Sequence, residues 1–153
     1  STITIHGRTK KEMSLVPAHW DIIAEAVKIR NQFDNSKNKT LILGNGDIQS
    51  VTDAKKKAKE TGADGIMIGR AIFGNPWLFS QTNSQPTPLS KKLFVLLEHT
   101  KLFTKIFKGK NFDIMKKHFK SYATGFPGAK ELRIKLMACQ NADEVKKIIN
   151  SYL

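Results

Sequence analysis

The stretch Thr40-Leu41-Ile42-Leu43-Gly44-Asn45-Gly46-Asp47-Ile48 decides the fold. A short β-rich run, a polar turn bracketed by glycines and a helical pattern from Val51 to Thr61 read as strand, loop and helix in succession. The same order stands on either side of it. Upstream, Thr2-Ile3-Thr4-Ile5 precedes a helical pattern from Trp20 to Arg30; downstream, Gly65-Ile66-Met67-Ile68 precedes a segment in which Asn75-Pro76 suits the cap and first turn of a short extra helix. Such alternation implies a parallel sheet covered by helices. The strands are apolar on both faces, as expected where helices or a barrel interior cover both sides. Their carboxyl ends lead into His6-Gly7-Arg8-Thr9, Gly44-Asn45-Gly46-Asp47 and Gly69-Arg70, and in parallel α/β folds the loops at that edge hold the ligand.

Beyond Pro88 the pattern is helical only. Leu93, Leu96, Leu97, Thr100, Phe103, Ile106 and Phe107 share one face; Phe112, Met115, Phe119 and Tyr122 a second; Leu132, Leu136 and Met137 a third; Val145, Ile148 and Ile149 a fourth. Gly109, the run Gly125-Phe126-Pro127-Gly128, and Asn141 or Asp143 supply the breaks and caps. The expected organisation is an α/β part over 1–80, a polar linker over 81–88 and an all-α helical domain over 89–153.

Charge separates the two parts. Of 153 residues, 26 are Lys or Arg and 13 Asp or Glu, a formal net charge of +13. Residues 1–85 carry 12 basic and 8 acidic side chains, whereas residues 86–153 carry 14 and 5, so +9 falls in the helical part. A lysine-rich face reads equally as a polyanion-binding surface and as a solubilising one. The single Cys139 excludes an intramolecular disulfide scaffold and a cysteine zinc cluster, and no metal site is expected. No apolar run is long enough to span a bilayer and no signal peptide is apparent, so a cytoplasmic protein without a membrane partner is expected.

The loop Gly44–Ile48 has two readings: a backbone cradle for a phosphate at the following helix, or a plain turn capped by Asp47 or Ser50. Gly69-Arg70, one βα unit later, favours the cradle, because a bare glycine and a guanidinium would converge on the same rim and Arg grips phosphate in a bidentate fork. The late loops of (β/α)₈ barrels form such sites recurrently. His6 would face that rim, as a structural histidine or as a hydrogen-bond donor to a cofactor.

Together these motifs resemble the tRNA-dihydrouridine synthases, particularly their bacterial B-type branch. The resemblance rests on Ile3 to Thr9, Trp20 to Ile23, Leu43 to Ile48, Thr61 to Arg70 and Gly74 to Phe79, and in the tail on Met115 to His118, Tyr122 to Gly125, Pro127 to Ala129, and Leu132-Arg133. It covers nearly the whole chain in order and spacing. Between Lys10 and His19 the sequence departs from the family pattern, with Met13, Ser14 and Val16 where a Tyr and a Gly are usual.

The resemblance implies the last three βα units of a TIM (β/α)₈ barrel followed by a helical tRNA-binding domain. It implies a flavoprotein oxidoreductase that uses FMN, with NADPH as reductant, to convert uridine in tRNA to 5,6-dihydrouridine. His6, Asn45, Gly46, Asp47, Gly69 and Arg70 would hold the cofactor, and Arg8, Lys116, Lys117, His118 and Arg133 would contact tRNA. The family's catalytic cysteine would lie on earlier strands. Cys139, on or just after a tail helix, reads instead as a small buried side chain, so no catalytic residue is expected in this chain. Three strands also leave sheet edges unpaired. The expectation is therefore a carboxyl-terminal fragment or split-gene product, inactive by itself and partnered by a missing amino-terminal barrel half in the same or a separate chain. The alternative is a non-catalytic RNA-binding module. Another FMN barrel, of the dihydroorotate dehydrogenase type, is disfavoured by the basic helical tail.

Overall fold

The computed structural model describes residues 1–33, 39–80 and 87–153. Six of the eight residues of the expected linker, 81–86, lie outside the described residues. Two units divide the chain, Ser1–Ile72 and Phe73–Leu153.

In the first unit, strands β1 (Thr2–His6), β2 (Leu41–Asn45) and β3 (Gly65–Met67) form a parallel sheet in that order, with helix α1 (Trp20–Phe33) between the first two and α2 (Val51–Thr61) between the last two. Ile23 and Val27 of α1 pack with Ile42 and Ala63, joined by Ile5, Trp20 and Ile66. Helices thus cover one face of the sheet. The other carries Leu41 and Met67 at 42% and 46% exposure, because three strands cannot curl far enough to enclose it themselves.

Polar pairs set the angle of these elements. Arg30, at the end of α1, donates to the carboxylate of Asp64 at 2.7 Å, and the same oxygen accepts the Ile42 backbone N–H at 2.8 Å. Burial alone would raise the Asp64 pKa, but those bonds and Lys39 hold it well below the usual carboxylate range. Helix α2 starts where the Ser50 side chain accepts from the Asp53 N–H at 3.0 Å, and it stops at Gly62 in the left-handed conformation.

The register of the sheet then decides what stands at its carboxyl edge. His6 pairs with Asn45, and Asn45 with Met67, so one residue from each strand lines up in a row.

The second unit holds α3 (Leu89–Ile106), α4 (Asp113–Tyr122), α5 (Ala129–Ala138) and α6 (Ala142–Asn150). Leu93, Leu96 and Leu97, then Met115 and Phe119, Leu132 and Leu136, and Val145 and Ile149 form one continuous core. Each such side chain withdrawn from water contributes about 1.5–3 kcal/mol, so this shared seam stabilises α4, α5 and α6, which are too short to persist alone. Asn141 caps α6 by accepting from the Asp143 and Glu144 N–H groups. Cys139 is 2% exposed within the same core, and burial pushes its thiol pKa up. No helix among the described residues is long and apolar enough to cross a membrane.

The segment after Ile72 departs from expectation. Residues 73–80, read with the α/β part from sequence, fall in the second unit, where Phe73 meets the edge of His118 and the Lys91 ammonium lies 4.8 Å from the Trp77 ring centre. Nor does Asn75 open a helix. Gly74 is left-handed (φ 72°) and its Cα abuts the Ser121 backbone, so the chain folds into turns closed by Leu78 N–H to Asn75 C=O. The short helical turn lies earlier, a 3₁₀ element at Arg70–Ile72.

Candidate functional site

The row at the sheet edge is joined by side chains as well as by register. Asn45 donates its amide to the Met67 carbonyl at 2.7 Å, which turns its Oδ1 toward His6 Nδ1, 2.6 Å away. An amide oxygen only accepts, so His6 carries its proton on Nδ1. In the neutral ring Nε2 is left as an acceptor, and protonation makes it a donor. One asparagine therefore ties all three strands and fixes the tautomer of the histidine.

After Asn45 the backbone turns sharply through Gly46 (φ 139°) and Asp47 (φ 55°). Only glycine adopts the first of these readily, and a Cβ there would stand 2.6 Å from that of Ala18. The turn carries the Asp47 carboxylate back to the loop after β1. There it accepts from Arg8 Nη2 and, at 3.0 Å, from the Ala18 N–H; its other oxygen accepts from Arg70 Nη2 at 3.2 Å. The Arg8 hydrogen bond, outweighing the cost of burial, holds Asp47 below its ordinary pKa.

Arg8 and Arg70 differ in what they leave free. The Arg8 side chain is 5% exposed and its Nε donates to the Val16 carbonyl, whereas the Arg70 side chain is 66% exposed and is held at its tip by Asp47 and by Ser14 Oγ, each at 3.2 Å. Arg8, expected as a tRNA contact, is thus largely withdrawn from solvent and paired within the loop. Ser14 and Val16 each add one further acceptor, the first for Arg70 and the second for Arg8. The loop is braced further by Glu12, which accepts from the Thr9 N–H and hydroxyl at 2.7 and 2.8 Å and pairs with His19; these hydrogen bonds lower its pKa to about 2.

His6, Asn45, Gly46, Asp47, Gly69 and Arg70, with Ile48 and Gln49, surround a cavity of about 170 Å³. That is less than the roughly 300–1,000 Å³ of a drug-sized site, and suits a small group such as one phosphate. Arg8 lies outside this lining but pairs with Asp47, so the balance of the three charges around the cavity is positive. At Gly69 an added Cβ would meet nothing within 4 Å, so the wall there is open to a ligand.

In the helical unit a second concavity of about 650 Å³ runs between α4 and α5, lined by Lys116, Lys117, Lys120, Lys130, Arg133, Ile134 and Met137. Three of the expected RNA contacts meet here. Lys116 is 11% exposed and paired with Asp113 at 2.7 Å, and Arg133 reaches the Ala123 carbonyl at 3.4 Å. Lys120 and Lys130 join them; Lys120 was legible as the residue four after Lys116 on the same helical face. His118 does not line the groove. Its ring lies 4.9 Å from that of His99, whose Nδ1 is 3.2 Å from the Tyr122 hydroxyl, and burial lowers the pKa of both histidines.

A parallel α/β unit with an anion-receptive cavity at its strand ends, followed by a basic helical unit, defines the class. The chain belongs to the dihydrouridine synthase family, whose model, described as "Dihydrouridine synthase (Dus)", matches residues 1–152. It is 40% identical over 155 residues to a Staphylococcus aureus protein named "Probable tRNA-dihydrouridine synthase", covering 99% of this chain and 46% of that protein. It is 38% identical, over the same shares, to the Bacillus subtilis "Probable tRNA-dihydrouridine synthase 2". The chain thus spans a little under half the length of these curated relatives.

Proposed function

We propose that this chain forms the phosphate-holding end of an FMN site and a tRNA-binding helical domain in an enzyme that reduces tRNA uridine to dihydrouridine, with NADPH as reductant. The observation that carries the reading is the meeting of His6, Asn45, Gly46, Asp47, Gly69 and Arg70 around one phosphate-sized, positive cavity. The residues fit that end of the cofactor: an exposed guanidinium, an open wall at Gly69, and an imidazole whose Nε2 is free to donate when protonated. FMN, when bound, would supply the hydride.

The parts divide the work. Arg70 would grip the phosphate, and Asp47 would not touch it as a ligand, since carboxylate and phosphate repel; it holds Arg8 and Arg70 in place instead. Asn45 holds His6 in one tautomer. The names of the relatives indicate tRNA as substrate, and the excess of lysine in the helical unit suits its phosphates. In this reading the βα units are part of a TIM barrel whose remaining strands come from the same or a separate chain, and the protein acts in the cytoplasm.

Mapping of dihydrouridine in tRNA from cells with and without the intact gene tests the proposal. Loss of the modified base at a defined tRNA position, restored by the gene, is the expected result; an unchanged map overturns it.

A further inference from the structure

The groove between α4 and α5 has a feature that phosphate binding does not use. Ile134 and Met137 lie within it at 64% and 51% exposure, one turn apart on α5, among Lys116, Lys117, Lys120, Lys130 and Arg133. A pure phosphate track needs only cations, and aliphatic side chains left in water there contribute nothing to it. We infer that this groove is a nucleotide subsite, which takes one unstacked base of an RNA strand on Ile134 and Met137 while the flanking phosphates lie on the lysines. The inference rests on the tRNA reading and adds a base-binding role to it.

Charge and size choose this occupant. A wholly apolar ligand would desolvate five cations and offer them no counter-charge, when only Lys116 has a carboxylate beside it. An amphipathic helix needs apolar anchors repeated over two or more turns, and two adjacent side chains do not provide them. They do match a single planar base, against which the methionine sulfur packs favourably and which the Arg133 guanidinium can cover with its own plane. The volume of about 650 Å³ is ample for one nucleotide.

The test uses the whole chain and two labelled single-stranded RNA pentamers of equal charge, one complete and one lacking its central base. Fluorescence anisotropy should show the complete pentamer binding about fivefold to tenfold more tightly, as expected for burying part of a base on apolar side chains. Ile134→Ser with Met137→Ser should erase the difference and leave the abasic affinity unchanged; both side chains are more than half exposed, and a thermal melt reports that the fold is intact. Equal affinities for the two probes overturn the inference and leave a phosphate track. Binding of neither probe, or displacement of the complete pentamer by an acidic peptide with apolar side chains, overturns it too. The cellular dihydrouridine map can fail while the pentamers are still told apart, so the failure of the proposed reaction and the failure of the subsite are distinguishable.

Discussion

The carboxylate of Asp47 is what keeps the buried guanidinium of Arg8 paired, across 39 residues of sequence. Asp47→Asn retains the shape and removes the charge. Because Asp47 is itself 35% exposed, the loss should be about 1–3 kcal/mol rather than the larger cost of a fully buried pair. Urea unfolding of the two proteins measures it, and a difference under about 0.5 kcal/mol would show that Arg8 finds another acceptor.

Arg70 carries the opposite expectation. With its side chain two-thirds exposed, Arg70→Ala should change stability by less than about 0.5 kcal/mol. It should weaken FMN binding about 10- to 100-fold while leaving the affinity for riboflavin, which has no phosphate, nearly unchanged. Flavin fluorescence titration separates the two ligands; an equal loss for both would place Arg70 away from the phosphate.

The β1–α1 loop should be sensitive to acid through Glu12. Its pKa is lowered in the folded chain from 4.5 to about 2, so its contribution is complete above about 4.5 and disappears as pH falls toward 2. Denaturant midpoints followed over that interval should fall more steeply for the wild type than for Glu12→Gln. Parallel curves would remove Glu12 as the cause.

Salt dependence tests the groove. Lys117→Ala with Lys120→Ala should lower the slope of log affinity for tRNA against log salt by about 1.4–1.8, given roughly 0.7–0.9 per phosphate contact. Lys116→Ala should do less, since Asp113 already neutralises much of its charge. An unchanged slope in the double variant would put the RNA elsewhere.

Periodicity made the elements legible before any packing was known: the run Val51 to Thr61 is α2 as read, and each expected tail helix is present. What composition could not reveal is partnership. Arg8 and Arg70 look alike in sequence, and Asp47 accepts from both; only the fold buries one of them and sets the Val16 carbonyl against it. His118 sits in a basic motif yet faces His99 and Phe73, because a helix turns it about 100° from Lys117. The turn at Asn75 escaped because its cause, the close approach of Gly74 to Ser121, joins residues far apart in the chain.

Gly69 sets stability and occupancy against each other. Its backbone lies outside the left-handed region and nothing packs where a methyl would sit, so the fold itself has no need of glycine there. Gly69→Ala should stabilise the chain by about 0.4–1 kcal/mol by restricting its unfolded state, yet the added carbon would stand in the wall of the cavity. A variant that melts higher and holds FMN less well would identify position 69 as one where the protein gives up robustness to keep a space open.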